Sequence, residues 1–292
     1  MIKKMWEIKS LTIEDKNYPT LLKEIKNPPK VLYYVGEIKD KENCIAIVGA
    51  RRCTNYGKEV AYQIASELAN AGITVVSGFA PGIDTMAHLG AIENKKRTIA
   101  VLGTGLNEKS IYPKSNLKLA KKILECGGAL ISELPPATHG TKYTFPLRNR
   151  IISGLSLGVL VVEAKLKSGA LITANYAFEQ KRKVFAIPGS IFSQTSKGCH
   201  FLIKNGAKLV ENGNDILEDL GLKIRAKRRE VEGENKEETT ILEALKEGAL
   251  SVEKIIEKTN FPASKVLAIL SILEIKGKIK NLGGQIYAIS DR

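Results

Sequence analysis

The sequence has no apolar run approaching the roughly 18 residues that a membrane-spanning helix needs. Met1 to Ser10 also lacks the apolar centre of a signal peptide. A cytoplasmic protein with no membrane partner is expected. Cysteine is sparse. The four residues, at 44, 53, 126 and 199, have no CxxC spacing, which argues against a zinc site or a disulfide framework and makes most of them expected buried thiols. The three histidines, at 88, 139 and 200, are too scattered to suggest a metal. Nucleotide motifs are missing too. No GxxxxGK[ST] occurs and Gly49 is next matched only by Gly57, so a P-loop ATPase or a dinucleotide enzyme loses its main support, and no cofactor is expected. Acidic residues are the minority. Forty-five Lys and Arg against 31 Asp and Glu leave a formal charge of +14, which favours a polyanionic partner such as nucleic acid or, less well, an anionic membrane surface.

What is present is an alternation of short apolar runs and helical patterns, the mark of an α/β parallel sheet wound on both faces. The runs are Ile45 to Val48, Thr74 to Ser77, Thr98 to Leu102, Ala129 to Ser132, Gly158 to Val162 and Val184 to Ile187. Between the first two, Gly57 to Asn70 sets Val60, Ile64, Ala65 and Leu68 on one helical side and stops at Ala71-Gly72. Residues 1–43 read as a lead-in ending in the turn Asn27-Pro28-Pro29, and 44–222 as the sheet domain. The charged stretch 223–239 reads as a solvated linker and 240–292 as a small winged helix. In this last part Thr240 to Lys246, Val252 to Thr259 and Pro262 to Lys276 form helices, the third burying Val266, Leu267, Leu270 and Leu273, before a hairpin turning at Gly283-Gly284. Residues 237–292 hold eight Lys or Arg and eight Asp or Glu, so the positive excess lies upstream. A duplex-reading wing would be basic.

Ligands in such sheets bind at the carboxyl ends of the strands. Gly49-Ala50-Arg51-Arg52 joins a strand to a helix, offering backbone N–H groups and Arg51 to a phosphate. The turns Ser77 to Asp84 and Gly103 to Asn107, including Gly105, bring further glycines to the same rim, and Ser168-Gly169-Ala170 opens another helix. The most telling stretch is KYTFPLRNR, Lys142 to Arg150. Lys142, Arg148 and Arg150 can neutralise phosphates, and Phe145 can stack an unpaired base, a contact worth about 1–3 kcal/mol. Phe145 read alone fits a core residue at a loop entry better than a stacking surface. Asp84, His88 and Glu163 could be arranged as acid-base groups, but no nucleophile or triad spacing joins them; Asp84 is expected to cap a helix with His88 packed behind it.

The motifs GARRCTNYG, SGFAPGID followed by AH, TIAVLGTGL followed by YP, FPLRNRIISGLSLGVLVVEA, SGALITA and VFAIPG occur in an order that resembles the DNA processing protein A family, also called DprA or Smf. The resemblance covers about residues 8 to 220 and continues more weakly through the winged helix. It implies an extended Rossmann-type domain that binds single-stranded DNA, loads RecA during natural transformation, dimerises, and is not an enzyme. By motif, Gly49, Arg51, Arg52, Gly105, Lys142, Phe145, Arg148, Asn149, Arg150, Ser168 and Gly169 become the DNA-binding residues. Lys142 takes the phosphate and Phe145 the base. Dimerisation falls on Gly198 to Val210, where Phe201, Leu202, Ile203 and Leu209 supply apolar surface at a sheet edge. Three departures accompany the match. Pro81 stands where an arginine is common, Cys199-His200 replaces the pattern that carries a family asparagine, and the SAM-like domain of many members is not expected before Ile8. The alternatives are a Rossmann-type hydrolase of nucleoside monophosphates, which would need a PGGxGT-like motif absent here, and a winged-helix regulator of duplex DNA, which the neutral tail disfavours.

Overall fold

Tyr18, Leu22, Leu32 and Val35 are buried, so the segment expected as a lead-in belongs to the core. It forms β1 (Lys9–Thr12), α1 (Thr20–Lys23) and β2 (Val31–Gly36). From there the chain alternates β3 (Cys44–Val48), α2 (Asn55–Asn70), β4 (Thr74–Ser77), α3 (Ile83–Glu93), β5 (Thr98–Val101), α4 (Leu117–Glu125), β6 (Ala129–Ser132) and α5 (Thr144–Gly154). It continues through β7 (Gly158–Val161), α6 (Gly169–Glu179), β8 (Lys183–Ala186), α7 (Lys197–Lys204), β9 (Lys208–Leu209) and α8 (Gly213–Asp219). This computed structural model describes residues 6–222, 233–246 and 248–289.

The nine strands lie in the order β1-β2-β6-β5-β4-β3-β7-β8-β9. All neighbours from β6 to β9 are parallel, and β2 joins β6 antiparallel, with Tyr34 opposite Ile131. The apolar runs form strands because helices cover both faces. Ile45 and Ile47 enter the core with Ile64, Leu68 and Ile83, whereas Ala46 and Val48 enter the opposite core with Ile151, Ile152 and Ala174. Thr54 caps α2, its hydroxyl accepting from Gly57 N at 3.1 Å. The cysteines are all free, but only Cys44 and Cys199 are buried; Cys53 and Cys126 are half-buried. Among the described residues no helix is long and apolar enough to cross a membrane.

The chain divides into two compact units, Met1–Ala226 and Lys227–Arg292. Of the expected linker, residues 223–232 lie outside the described residues. The second unit starts its first helix earlier than expected, because Asn235 caps it by accepting from Glu238 N at 2.8 Å. It contains α9 (Lys236–Leu245), β10 (Leu250–Ser251), α10 (Val252–Thr259), α11 (Ala263–Ile275), β11 (Ile279–Asn281) and β12 (Ile286–Ile289). Three helices and a three-stranded sheet in the order β10-β12-β11 make a winged helix. On α11 the packed side is Val266, Ile269, Leu270 and Leu273, while Leu267, expected there, is 46% exposed. The helical repeat turns Leu267 away and brings Ile269 in.

Helices α2 and α3 approach so closely at Gly90 that a Cβ there would lie 2.2 Å from the Tyr62 carbonyl oxygen. Gly90→Ala is expected to destabilise the sheet unit by about 1–3 kcal/mol, as overpacking does, which urea denaturation measures.

Candidate nucleic-acid interface

After β3 the chain moves outward through β4, β5 and β6, then α5 carries it back to β7 on the other side of β3. The point where such a sheet reverses direction leaves a crevice outside the strand ends. A cavity of about 510 Å³ lies there. Gly49, Arg51 and Arg52 line it from the turn after β3, Ala80 and Asp84 from the turn after β4. Lys142, Phe145, Arg148 and Asn149 come from α5 and its approach, and Lys165, Lys167, Ser168 and Gly169 from the turn between β7 and α6.

Two of the three expected glycine turns meet at this cavity. Ile83 N donates to Ala50 O at 3.3 Å, and Ala50 N donates to Glu163 O at 2.8 Å, so the turns brace each other. The third turn is corrected. Gly105 is buried, donates its N–H to Thr138 O at 2.8 Å, and presses against Pro136, where a Cβ would stand 2.2 Å from the carbonyl oxygen. Its small size serves packing, and its donor is not free for a phosphate.

The two helix starts also exchange roles. The start of α2 is closed, because the Glu163 carboxylate accepts from Thr54 N at 2.9 Å, from Thr54 Oγ1 at 2.7 Å and from Thr195 Oγ1 at 3.0 Å. A carboxylate already occupies the position expected for an anion. At α6, by contrast, among the described residues Ser168 makes no cap bond, its hydroxyl oxygen is buried without a partner, and the space beside Gly169 is open. The positive end of this helix faces the cavity without a side-chain cap.

Six cationic side chains and one carboxylate, Asp84, line the cavity. Arg51, Arg52, Lys142, Lys165 and Lys167 are exposed. Lys165 and Lys167 were missed from the sequence, although two lysines just before a small-residue helix start are the available signal. Arg148 is different. It is buried, with Nη1 donating to the carbonyls of Gly78 and Val101 and Nε donating to Asn149 Oδ1 at 3.1 Å. Burial pulls its pKa down to about 10 and Asp84 opposes the shift, so it stays cationic at neutral pH beneath the cavity. Arg150 is a correction: it points away from the cavity and grips Glu133 with two hydrogen bonds, at 2.8 and 2.6 Å, while Nε donates to Asn27 O at 3.1 Å. Its donors are committed to the fold because α5 presents successive residues to different sides.

Phe145 is half-buried on a bed of two glycines. A Cβ on Gly103 or Gly140 would lie 2.7 Å from its ring, and Arg51 stands over the ring at 5.6 Å from the centroid. Asn149 lines the cavity and donates to Gly169 O at 3.1 Å, tying α5 to the open helix start. The acid-base candidates are all engaged. Asp84 accepts from Ala80 N at 3.2 Å, and burial lifts its pKa against the pull of Arg148. His88 is fully buried. Thr98 Oγ1 donates to Val75 O at 2.6 Å, so it accepts from His88 Nδ1 at 2.8 Å, which puts the imidazole proton on Nδ1 and leaves Nε2 without a partner among the described residues. Pro81 is exposed just before α3, and His200 Nε2 meets Gly189 O at 3.0 Å.

At the far edge of the sheet, β9 pairs only with β8 among the described residues. Phe201 and Leu209 are 49% and 44% exposed there, and Ile203 is partly buried. Leu202, expected at an interface, is 1% exposed and belongs to the core of its own subunit.

The family model for DNA recombination-mediator protein A matches residues 9–221, and that for the DprA winged helix domain matches residues 225–285. The chain belongs to the DprA family. It is 46% identical over 215 residues to DNA processing protein DprA of Bacillus subtilis, covering 73% of this chain and 71% of that protein. It is 47% identical over 204 residues to protein Smf of Escherichia coli, covering 70% of this chain but only 54% of that longer protein. The crystal structure of DprA from Streptococcus pneumoniae superposes with a TM-score of 0.68 at 44% identity, covering 75% of this chain and 76% of that one. DNA processing protein A from Helicobacter pylori, whose structure was described for its single-stranded DNA binding mode, gives a TM-score of 0.65 at 32% identity, covering 74% of this chain and 96% of that one.

One pH dependence follows from His88. Burial depresses its pKa from 6.5 to about 3, so the folded state holds it neutral. The associated stability is complete above pH 6.5 and is lost as pH falls from 6.5 toward 3, amounting to a loss of about 2 kcal/mol at pH 5. In urea titrations at pH 7.5 and 5, the native chain is expected to lose about that much more stability than His88→Gln; equal losses would assign the acid sensitivity elsewhere.

Proposed function

We propose that this DprA-family chain binds single-stranded DNA in the cavity beside β3 and β7 and delivers it to RecA during recombination and natural transformation, acting without bond chemistry. The observation that carries the reading is the convergence of five exposed cations, an uncapped helix start and an aromatic ring on one cavity. Phosphates would lie against Arg51, Arg52, Lys142, Lys165, Lys167 and the start of α6, while Phe145 offers a ring that tolerates any base. The name of the Helicobacter pylori relative's binding mode supports the same ligand, and the family's description as a recombination mediator supports RecA as the recipient. The engagement of Asp84, His88 and Glu163 in internal hydrogen bonds supports a binding rather than a hydrolytic role.

A single strand is expected to bind more tightly than its duplex, without strong sequence preference. With three to five phosphate contacts, log K against log salt should slope by about −2 to −3.5, at about −0.7 per contact. Arg51→Ala and Lys167→Ala should each flatten that slope by about 0.7, whereas Arg150→Ala should lower the melting temperature with little change in slope. Equal affinity for duplex and single strand throughout a salt series overturns the reading.

We further infer a homodimer through Phe201, Ile203 and Leu209, supported by the apolar exposure beside the open edge of β9. Two cavities on one particle would hold two stretches of one strand and raise avidity without new contacts. Leu209→Glu should give a folded monomer by light scattering and thermal melting, with a larger loss of affinity for long oligonucleotides than for short ones. A variant that stays dimeric, or that loses equally at both lengths, removes this interface or its role in DNA capture.

A further inference from the structure

The cavity accounts for Phe145 but not for its aromatic neighbour. Tyr112 lies outside the cavity lining and is 55% exposed, yet its ring centroid is 5.9 Å from that of Phe145 with the planes tilted by 55°. Its hydroxyl has no hydrogen-bond partner among the described residues. The backbone around it is anchored: Ile111 is fully buried and donates its N–H to Asn107 O at 3.2 Å, and Pro113 O accepts from Asn116 N at 3.1 Å. Asn116 is itself buried, donating to Phe79 O at 3.1 Å. The exposed ring therefore stands on a fixed base rather than at a loose loop tip.

We propose that Tyr112 is a second stacking surface for an unpaired nucleobase, which continues the strand path out of the cavity past Phe145. The proposal rests on the single-strand reading above. Phe145 is hemmed in by Arg51 and by Gly103 and Gly140, so the more open face of the two rings belongs to Tyr112. Because the rings are tilted, one planar base cannot lie flat on both, and the two rings serve successive bases. A tyrosine with two side-chain torsions gives a large stacking area at small ordering cost. The segment Asn107 to Lys118 also carries Lys109, Lys114 and Lys118 against Glu108 alone, which suits a strand whose phosphates pass alongside.

The competing role for Tyr112 is a wedge that merely supports Phe145. Tyr112→Leu keeps apolar bulk but removes the aromatic face, and Tyr112→Trp keeps the face. Both are to be titrated, with the native chain, against thymidine oligonucleotides from about two to about twelve nucleotides, within the range of sizes that single-strand sites occupy. Thermal melts establish that each variant is folded. Stacking predicts that Tyr112→Leu loses about fivefold or more in affinity once the oligonucleotide is long enough to pass Phe145, with the shortest probes unaffected and Tyr112→Trp retaining affinity at every length. An abasic residue at the position past Phe145 should weaken the native chain and leave Tyr112→Leu unchanged. Native-like affinity of Tyr112→Leu at all lengths, or an equal loss at every length, overturns the proposal while leaving the single-strand reading in place. A native chain that binds none of these oligonucleotides overturns both.

Discussion

The buried guanidinium of Arg148 holds the site together. Its donors reach the carbonyls of Gly78 and Val101, at the ends of two adjacent parallel strands, while its charge faces Asp84 at the start of the next helix. A cation is well suited to that place, because carbonyl groups at the ends of parallel strands point outward without ladder partners. Since the side chain leaves from α5, the same contacts dock the returning helix on the sheet and set Lys142 and Phe145 at the mouth of the crevice. Truncating it would strand Asp84 as a buried carboxylate without its counter-charge, a defect that costs several kcal/mol in other proteins.

The cations consequently fall into two groups with different work. Arg148 and Arg150 are spent on internal acceptors and fix geometry. Arg51, Arg52, Lys142, Lys165 and Lys167 remain hydrated at the rim, where a polyanion can release their counterions. The winged helix adds no net charge to this distribution, since its acids and bases balance.

Much of this architecture was legible in advance. The six apolar runs from Ile45 to Ile187 become strands because each is apolar on successive residues, as a strand covered on both faces must be. The amino-terminal strands were missed because Lys9–Thr12 is mostly polar and exposed, and Val31–Gly36 is buried only at Leu32 and Val35, so neither is buried on successive residues. Gly49, Arg51, Lys142 and Phe145 do gather at one cavity. Gly105, Arg150 and Leu202 do not serve as their residue types suggested, because proximity in sequence says nothing about which side of a turn or helix faces solvent. The closing of α2 by Glu163 was equally hidden, since the two segments are 109 residues apart and only the parallel pairing of β3 with β7 brings them together.

That closure bears on molecular discrimination. A free mononucleotide seeking the first strand-to-helix turn, where doubly wound sheets commonly seat a phosphate, meets a carboxylate that has already taken the local donors. Removing that carboxylate's charge would leave a vacant anion niche, so the chain carries its own competitive occupant. An anion is met instead at the start of α6, which has no side-chain cap and stands beside the exposed cations of the cavity.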